Sequence, residues 1–249
     1  MKAMIFAAGL GTRLKPLTDT MPKALVPVAG EPLLSHVARK LIRAGADELV
    51  INTFHFAGQI QRYVRSVKGF GVKLHLSPEK DGLLETGGGV LHARPFLEGS
   101  GRFLVHNVDI LSNLDIARFF AQTRGDALST LVVSERKTSR YLLFDEGMRL
   151  VGWTDVRTGE VRSPFPGLDP GRCRALAFAG IHCLSDRVFR VMDDEGFAGR
   201  FSIIDFYLAV AARYPIYGYI PECFRMLDVG KAASLEAAEG FVRELAEGS

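Results

Sequence analysis

Short apolar runs alternate with helix-spaced apolar residues through the first half of this chain, and that alternation constrains the fold more than any other feature. Ala3 to Ala8 is a wholly apolar run ending at Gly9, the pattern of a central strand covered on both faces. After a glycine- and proline-rich segment from Gly9 to Pro32, Leu33, Leu34, Val37, Leu41 and Ile42 recur at helical spacing, and Gly45 closes the pattern. Glu48 to Asn52 then predicts a strand, Ala57 to Val67 a helix, Val72 to Leu76 a strand and Thr86 to Arg94 a helix. Phe103 to His106 predicts a fourth apolar strand, opening on Asn107, Val108 and Asp109. Such a rhythm with short connections predicts an α/β fold, a single-domain doubly wound sheet that is mainly parallel, whose ligands lie beyond the carboxyl ends of the strands. Gly9 to Arg13 and Asp109 both fall there.

From Ala127 the rhythm changes to strand-like runs at Leu128 to Val133, Tyr141 to Phe144, Leu150 to Trp153 and Ala175 to Leu184, broken by the proline- and glycine-rich stretch Ser163 to Gly171. Helices are expected at Asp186 to Met192 and Ile203 to Arg213, strands near Ile216 to Ile220 and Phe224 to Asp228, and a last helix from about Lys231 to Glu247. No repeat, low-complexity tract or linker interrupts the 249 residues. Trp153, the single tryptophan, reads as a core residue.

Composition narrows the partners. With 47% apolar and 24% charged residues the chain has an ordinary globular core and shell. A formal charge of +3 is too slight to coat nucleic acid by counterion release, so any phosphate binding is local. Cys173, Cys183 and Cys223 form no C-x-x-C pair, and His36, His55, His75, His92, His106 and His182 show no metal-ligand spacing. The apolar run at the start is too short for a signal peptide, with Arg13 and Lys15 following at once, and no stretch reaches the roughly 18 apolar residues of a membrane helix. These features predict a cytoplasmic, soluble protein with no membrane or nucleic-acid partner.

The candidate site begins at Gly9-Leu10-Gly11-Thr12-Arg13. Two glycines directly after a strand turn the chain sharply and admit backbone N–H groups to a phosphate, and Arg13 adds a forked donor. The spacing is neither that of a P-loop nor that of the dinucleotide fingerprint. Pro16-Leu17-Thr18 and then Pro22-Lys23-Ala24-Leu25-Val26-Pro27-Val28 continue it, so prolines place both basic groups. Lys23 is a flexible point cation able to reach back over phosphates. Farther on, Leu84-Glu85-Thr86-Gly87-Gly88-Gly89 offers three glycines before a helix, with Thr86 as its cap and open backbone for a flat base or sugar. Asp109 and Asp228, both at strand ends, suit one magnesium ion if the fold brings them together, since magnesium takes one or two carboxylates plus substrate phosphates.

The run from Ala7 to Val28 resembles the signature of the sugar-1-phosphate nucleotidyltransferases, which join a nucleoside triphosphate to a sugar phosphate and release pyrophosphate. The resemblance implies that fold and activity, with Ala8, Gly9, Gly11, Thr12, Arg13, Lys23, Thr86 and Gly87 on the nucleotide. It implies Asp109 and Asp228 on Mg2+, Arg13, Lys23 and Asp109 in catalysis, and Asn107, Gly180 (in Phe178-Ala179-Gly180-Ile181) and Asp205 near the sugar. Val108 stands where many relatives carry glycine or serine, which bears on the geometry of the metal side. The chain lacks the C-terminal β-helix of bifunctional relatives, so nucleotidyl transfer alone is implied. Residues 1–125 form the expected nucleotide-binding half and 126–249 the sugar-phosphate half, in a monomer or small homo-oligomer.

Among short members, the Leu-Glu-Thr-Gly-Gly-Gly and Phe-Ala-Gly-Ile segments most resemble the N-acetylmuramate-1-phosphate uridylyltransferases of cell-wall recycling, with mannose-1-phosphate guanylyltransferases as the alternative. A narrow, backbone-lined slot at 85–89 beside Gly9 favours a pyrimidine, hence UTP. The basic residues Arg136, Lys137, Arg140, Arg149, Arg157, Arg162, Arg172 and Arg174 are candidates to meet a carboxylate on the acceptor. Two other classes compete. A silent nucleotide-sensing module would not need Arg13, Lys23, Asp109 and Asp228 together, and a glycosyltransferase would want an Asp-x-Asp where Asn107-Val108-Asp109 stands.

Overall fold

A computed structural model describes residues 1–80 and 82–247. Its elements in chain order are β1 (Lys2–Phe6), a hairpin of β2 (Pro27–Val28) and β3 (Glu31–Pro32), α1 (Leu33–Arg43), β4 (Glu48–Thr53), α2 (Ala57–Ser66), β5 (Lys73–Pro78), α3 (Glu85–His92), α4 (Arg94–Leu97), β6 (Arg102–Asn107), β7 (Ile110–Ser112) and α5 (Ile116–Gln122). The second half follows with β8 (Ser129–Ser134), β9 (Arg140–Phe144), β10 (Leu150–Asp155), β11 (Glu160–Arg162), β12 (Arg174–Ser185), α6 (Arg187–Asp194), α7 (Ile203–Val210), β13 (Ile216–Tyr219), β14 (Met226–Asp228) and α8 (Leu235–Glu247).

The apolar runs are continuous because their strands are covered twice. Ala3, Ile5, Leu49 and Ile51 pack with Leu34, Val37 and Leu41 of α1, Ile60 of α2 and Phe119 of α5. Their alternating neighbours Met4, Val50, Phe103 and Val105 pack on the opposite face with Val90 of α3, Phe189 of α6 and Phe206 of α7. A period-2 strand with both faces buried must be apolar throughout. The α/β, doubly wound and mainly parallel sheet expected from the sequence is the one observed.

Strand order places the site. The parallel core runs β5-β4-β1-β6, so the chain first winds outward from β1 through β4 to β5, then returns to the other side of β1 as β6. The crossover helices change face with it, leaving a crevice at the carboxyl ends of β1 and β6. Phe6 is in register with Asn52 on one side and with Asn107 on the other, so three strands end at one level. Ala7 and Ala8, expected in the strand, already belong to the loop beyond it.

Beyond β6 the sheet turns mixed. The twelve-residue β12 runs antiparallel to β6, β8 and β9, and β9, β10 and β11 extend the sheet as an antiparallel meander. A separate ladder pairs β14 antiparallel with β7, setting Asp228 opposite Ile110. None of the described helices is long and apolar enough to cross a membrane.

Candidate active site

The three strand ends open into a cleft of about 320 Å3 whose floor includes Phe6, Asn52 and Asn107. Its entry loop is held by a buried polar chain. Asn52, 1% exposed, accepts the Ala7 N–H at Oδ1 (2.7 Å) and donates from Nδ2 to Glu79 (2.7 Å), while the other Glu79 oxygen accepts the Leu84 N–H (2.8 Å). One side chain pair thus ties the turn after β1 to the loop before α3, and satisfies polar groups that burial would otherwise penalise. The sequence reading missed both residues. The available signal was an asparagine closing an otherwise apolar strand.

Gly9 lines the cleft with nothing near the place a Cβ would occupy, whereas Gly11 is left-handed at φ 65°, where a Cβ would meet the Thr18 methyl at 2.8 Å. Thr18 in turn donates to the Gly11 carbonyl (2.8 Å). Ala8 lines the cleft as well. Thr12 and Arg13 form an exposed single turn pinned by the fully buried Leu14. Lys23, read from the sequence as a flexible point cation, is only 9% exposed and its ammonium forms an ion pair with Asp109, both on the cleft wall.

Asp109 follows β6 by one residue after Val108, and Asp228 ends β14. Their backbones meet, because the Val229 N–H donates to the Asp109 carbonyl (2.8 Å). Asn113 fastens the incoming segment, donating from its side chain to the Cys223 carbonyl (2.9 Å) and accepting the Arg225 N–H (2.8 Å). A Cβ on Gly230 would lie 2.8 Å from the Arg13 guanidinium and 2.5 Å from an Asp228 oxygen, so Arg13 and Asp228 share one corner, beside the Val229 backbone that is bonded to Asp109. Val108 is 4% exposed and packs into the α1 side of the core, so its bulk points into apolar surroundings while its backbone edge lines the cleft. Among the described residues no group of three or more His, Cys, Asp or Glu side chains could hold a metal. Two carboxylates without further protein donors is the set suited to magnesium that shares phosphate oxygens.

The triple glycine has a different purpose from the one its sequence suggested. Gly87, Gly88 and Gly89 lie inside α3, where a Cβ on Gly87 would stand 2.3 Å from the Phe201 ring and one on Gly88 2.1 Å from the Gly199 carbonyl. The N–H groups of Gly87 and Gly88 both donate to the Phe201 carbonyl (2.9 and 3.2 Å). These glycines let α3 press against the 199–201 segment and offer no open backbone to a base. The cleft wall is instead Leu83, Glu85 and Thr86. Thr86 does not cap its own helix, whose N-cap is Leu84; its hydroxyl accepts the Ile203 N–H (2.9 Å) at the start of α7.

Ser202, the N-cap of α7, lines this cleft and also a second cavity of about 480 Å3. Trp153 and Phe178 form apolar walls of that cavity, so the tryptophan expected in the core is a lining residue. Asp205 lines it too and pairs with Arg162 (2.7 Å). Gly180 sits in the register shift of β12 at φ 72°, where a Cβ would stand 2.6 Å from the Asn107 amide; it makes room for Asn107 rather than facing a cavity. Of the eight basic residues between 136 and 174, only Arg136, Arg140 and Arg162 line the second cavity. Arg149 donates to the carbonyls that end α7, and Arg157, Arg172 and Arg174 are engaged by Asp155, Asp169 and Glu135.

Two histidines lie beneath the cleft. His106, fully buried, is pushed down to about 4 mainly by burial, and its Nε2 has no hydrogen-bond partner. His182 is pushed down to about 3, again mainly by burial, and its Nδ1 lies 2.6 Å from the Tyr207 hydroxyl. Burial keeps both neutral at physiological pH, and neither lines the cleft.

Residues 2–144 match the model of the Nucleotidyl transferase family. The chain belongs to that family. It is an enzyme, a nucleotidyltransferase. The N-acetylmuramate alpha-1-phosphate uridylyltransferase of Caulobacter vibrioides is 31% identical to it over 250 residues, covering 97% of each chain. A protein of the same name from Neisseria meningitidis serogroup B is 46% identical over 120 residues, 48% of this nucleotidyltransferase and 52% of the relative. HddC from Yersinia pseudotuberculosis, solved with GMP-PN, shares the fold with a TM-score of 0.75 at 20% identity, covering 97% of this chain and 99% of its own.

Proposed function

We propose that this nucleotidyltransferase transfers a uridylyl group from UTP to N-acetylmuramate 1-phosphate, giving the UDP-sugar and pyrophosphate, in a cytoplasmic pathway of cell-wall recycling. The observation that carries this reading is the full-length similarity to the C. vibrioides enzyme of that name. The paired cavities meeting at Ser202 support it, one for a nucleotide and one for a sugar phosphate. Residues 1–125 then bind the triphosphate and residues 126–249 the acceptor.

In this reading a phosphate oxygen of the acceptor attacks the α-phosphorus in line, and the bond from that phosphorus to the bridging oxygen of the β-phosphate breaks as pyrophosphate leaves. No protein nucleophile is needed. The chain contributes position and charge. The backbone of Ala8, Gly9 and Gly11 and the Thr12–Arg13 turn face the triphosphate, and Arg13 and Lys23 neutralise the leaving group. Thr86 orders the base side, Asn107, set by Gly180, faces the sugar, and Asp205 borders the acceptor. Gly87 acts through packing under Phe201. Asp109 and Asp228 would hold Mg2+, which supplies charge neutralisation at the reacting phosphates; the free oxygen of Asp109 remains available beside its pair with Lys23.

The experiment is a matrix of nucleoside triphosphates against sugar 1-phosphates with pyrophosphate release as readout. UTP with N-acetylmuramate 1-phosphate is expected to be the most efficient pair. GTP with mannose 1-phosphate at least about tenfold more efficient would replace this assignment with the guanylyltransferase one.

A further inference from the structure

The second cavity carries a charge pattern that its neighbours leave incomplete. Three arginines line it, Arg136, Arg140 and Arg162, against the carboxylates of Glu160 and Asp205. Arg162 is taken by Asp205 (2.7 Å) and lies 5.7 Å from the centre of the Trp153 ring, while Arg140 faces Asp155 (3.6 Å). Arg136 has no ion-pair or hydrogen-bond partner among the described residues. It lies just past the end of β8, whereas the unpaired acid, Glu160, lies on β11 at the outer edge of the meander. The cavity therefore holds an exposed, unpaired cation in Arg136, which also borders the groove beside β14 and α8, an unpaired carboxylate in Glu160, and apolar walls in Trp153 and Phe178.

We propose that Arg136 is the specificity-determining residue that selects acceptors bearing a carboxylate in addition to their phosphate. A guanidinium offers a carboxylate two parallel hydrogen bonds that a neutral hydroxyl cannot match. With an apolar sugar face against the aromatic walls, the site would bury that pair partly away from water and strengthen it over an open surface pair. The inference rests on the acceptor reading above but is independent of which carboxylated sugar is used.

The test compares acceptor pairs that differ in the acid: N-acetylmuramate 1-phosphate against N-acetylglucosamine 1-phosphate, and glucuronate 1-phosphate against glucose 1-phosphate, each with UTP. The unaltered enzyme is expected to favour the carboxylated member of at least one pair by about tenfold or more in kcat/KM. Arg136→Gln should reduce that preference to within about threefold, through KM and not kcat, while the neutral member changes little. Arg136→Lys should retain an intermediate preference, because the charge stays and the fork is lost. A preference that survives Arg136→Gln, or an equal loss for both members of a pair, overturns the role of Arg136 and leaves the proposed reaction standing. A preference for glucuronate over N-acetylmuramate that collapses in Arg136→Gln overturns the proposed reaction and keeps the role of Arg136. Turnover of neutral acceptors alone overturns both.

Discussion

The two cavities that meet at Ser202 are built on opposite plans. The nucleotide cleft is made of backbone and buried side chains: strand ends in register, a glycine loop, Asn52 and Glu79 within the core, and Lys23 held against Asp109. The second cavity carries exposed arginines on an antiparallel meander: Arg140 and Arg162 are held by ion pairs to Asp155 and Asp205, and Arg136 has no such partner among the described residues. Groups fixed by the core are costly to change in stability as well as activity, whereas surface arginines can be exchanged at little cost to the fold. Chemistry common to a family is expected in the first region and selectivity in the second.

The strongest way to break this contrast is at the aspartates. Asp109→Asn and Asp228→Asn should each lower kcat by roughly 100-fold or more with circular dichroism unchanged, and activity should disappear in chelator and return with magnesium. Full activity in chelator would remove the metal role. Acid titration addresses the buried histidines of β6 and β12. His106 and His182 have folded values depressed to about 4 and about 3 from an ordinary value near 6.5. Their neutral forms stabilise the fold fully above pH 6.5, and that contribution falls as pH drops through 6.5 toward 4, at up to about 1.4 kcal/mol per pH unit for each histidine. The melting temperature should decline over that window, and less steeply in His182→Gln.

Packing of α3 gives a smaller effect. Gly88→Ala drives a methyl into the Gly199 carbonyl and should destabilise by about 1–3 kcal/mol, lowering Tm by several degrees, while Gly9→Ala meets no atom within 4 Å and should leave Tm unchanged. The finest distinction is between the two cations. Both alanine variants should lose turnover, but Lys23→Ala strands a largely buried carboxylate and should also lower Tm, whereas Arg13→Ala, on an exposed turn, should not. Equal melting temperatures for the two would show that the Lys23–Asp109 pair contributes nothing to stability.

What could be read from the residues follows the same division. The βα rhythm and the positions of Gly9, Arg13, Lys23, Asp109 and Asp228 were legible because strand periodicity and short motifs are local properties of the chain. The docking of the Asp228 segment beside Asp109 was not, since β14 falls within the strand expected near Phe224 to Asp228 but its pairing with the three-residue β7, far back along the chain, leaves no local trace. Trp153 reads as core because a lone aromatic in a strand usually is, and only the fold shows which face borders a cavity. The triple glycine was legible as a demand for close approach. Its partner, Phe201 rather than a ligand, lies far along the chain and leaves no local trace. Glu79 was invisible because its partners, Asn52 and the Leu84 N–H, come from separate segments.

The β7–β14 ladder has a consequence during synthesis. The loop after β1 and the strand that ends before Asp109 emerge from the ribosome before β14, and domains begin to order from the N-terminal side as they are made. The strand bearing Asp228 follows β7 by more than a hundred residues and must close that loop to dock on it, an entropically costly event. A nascent chain can therefore order its nucleotide cleft while its second aspartate is still missing. If Asp228 has the metal role proposed above, competence waits for β14 to dock on β7.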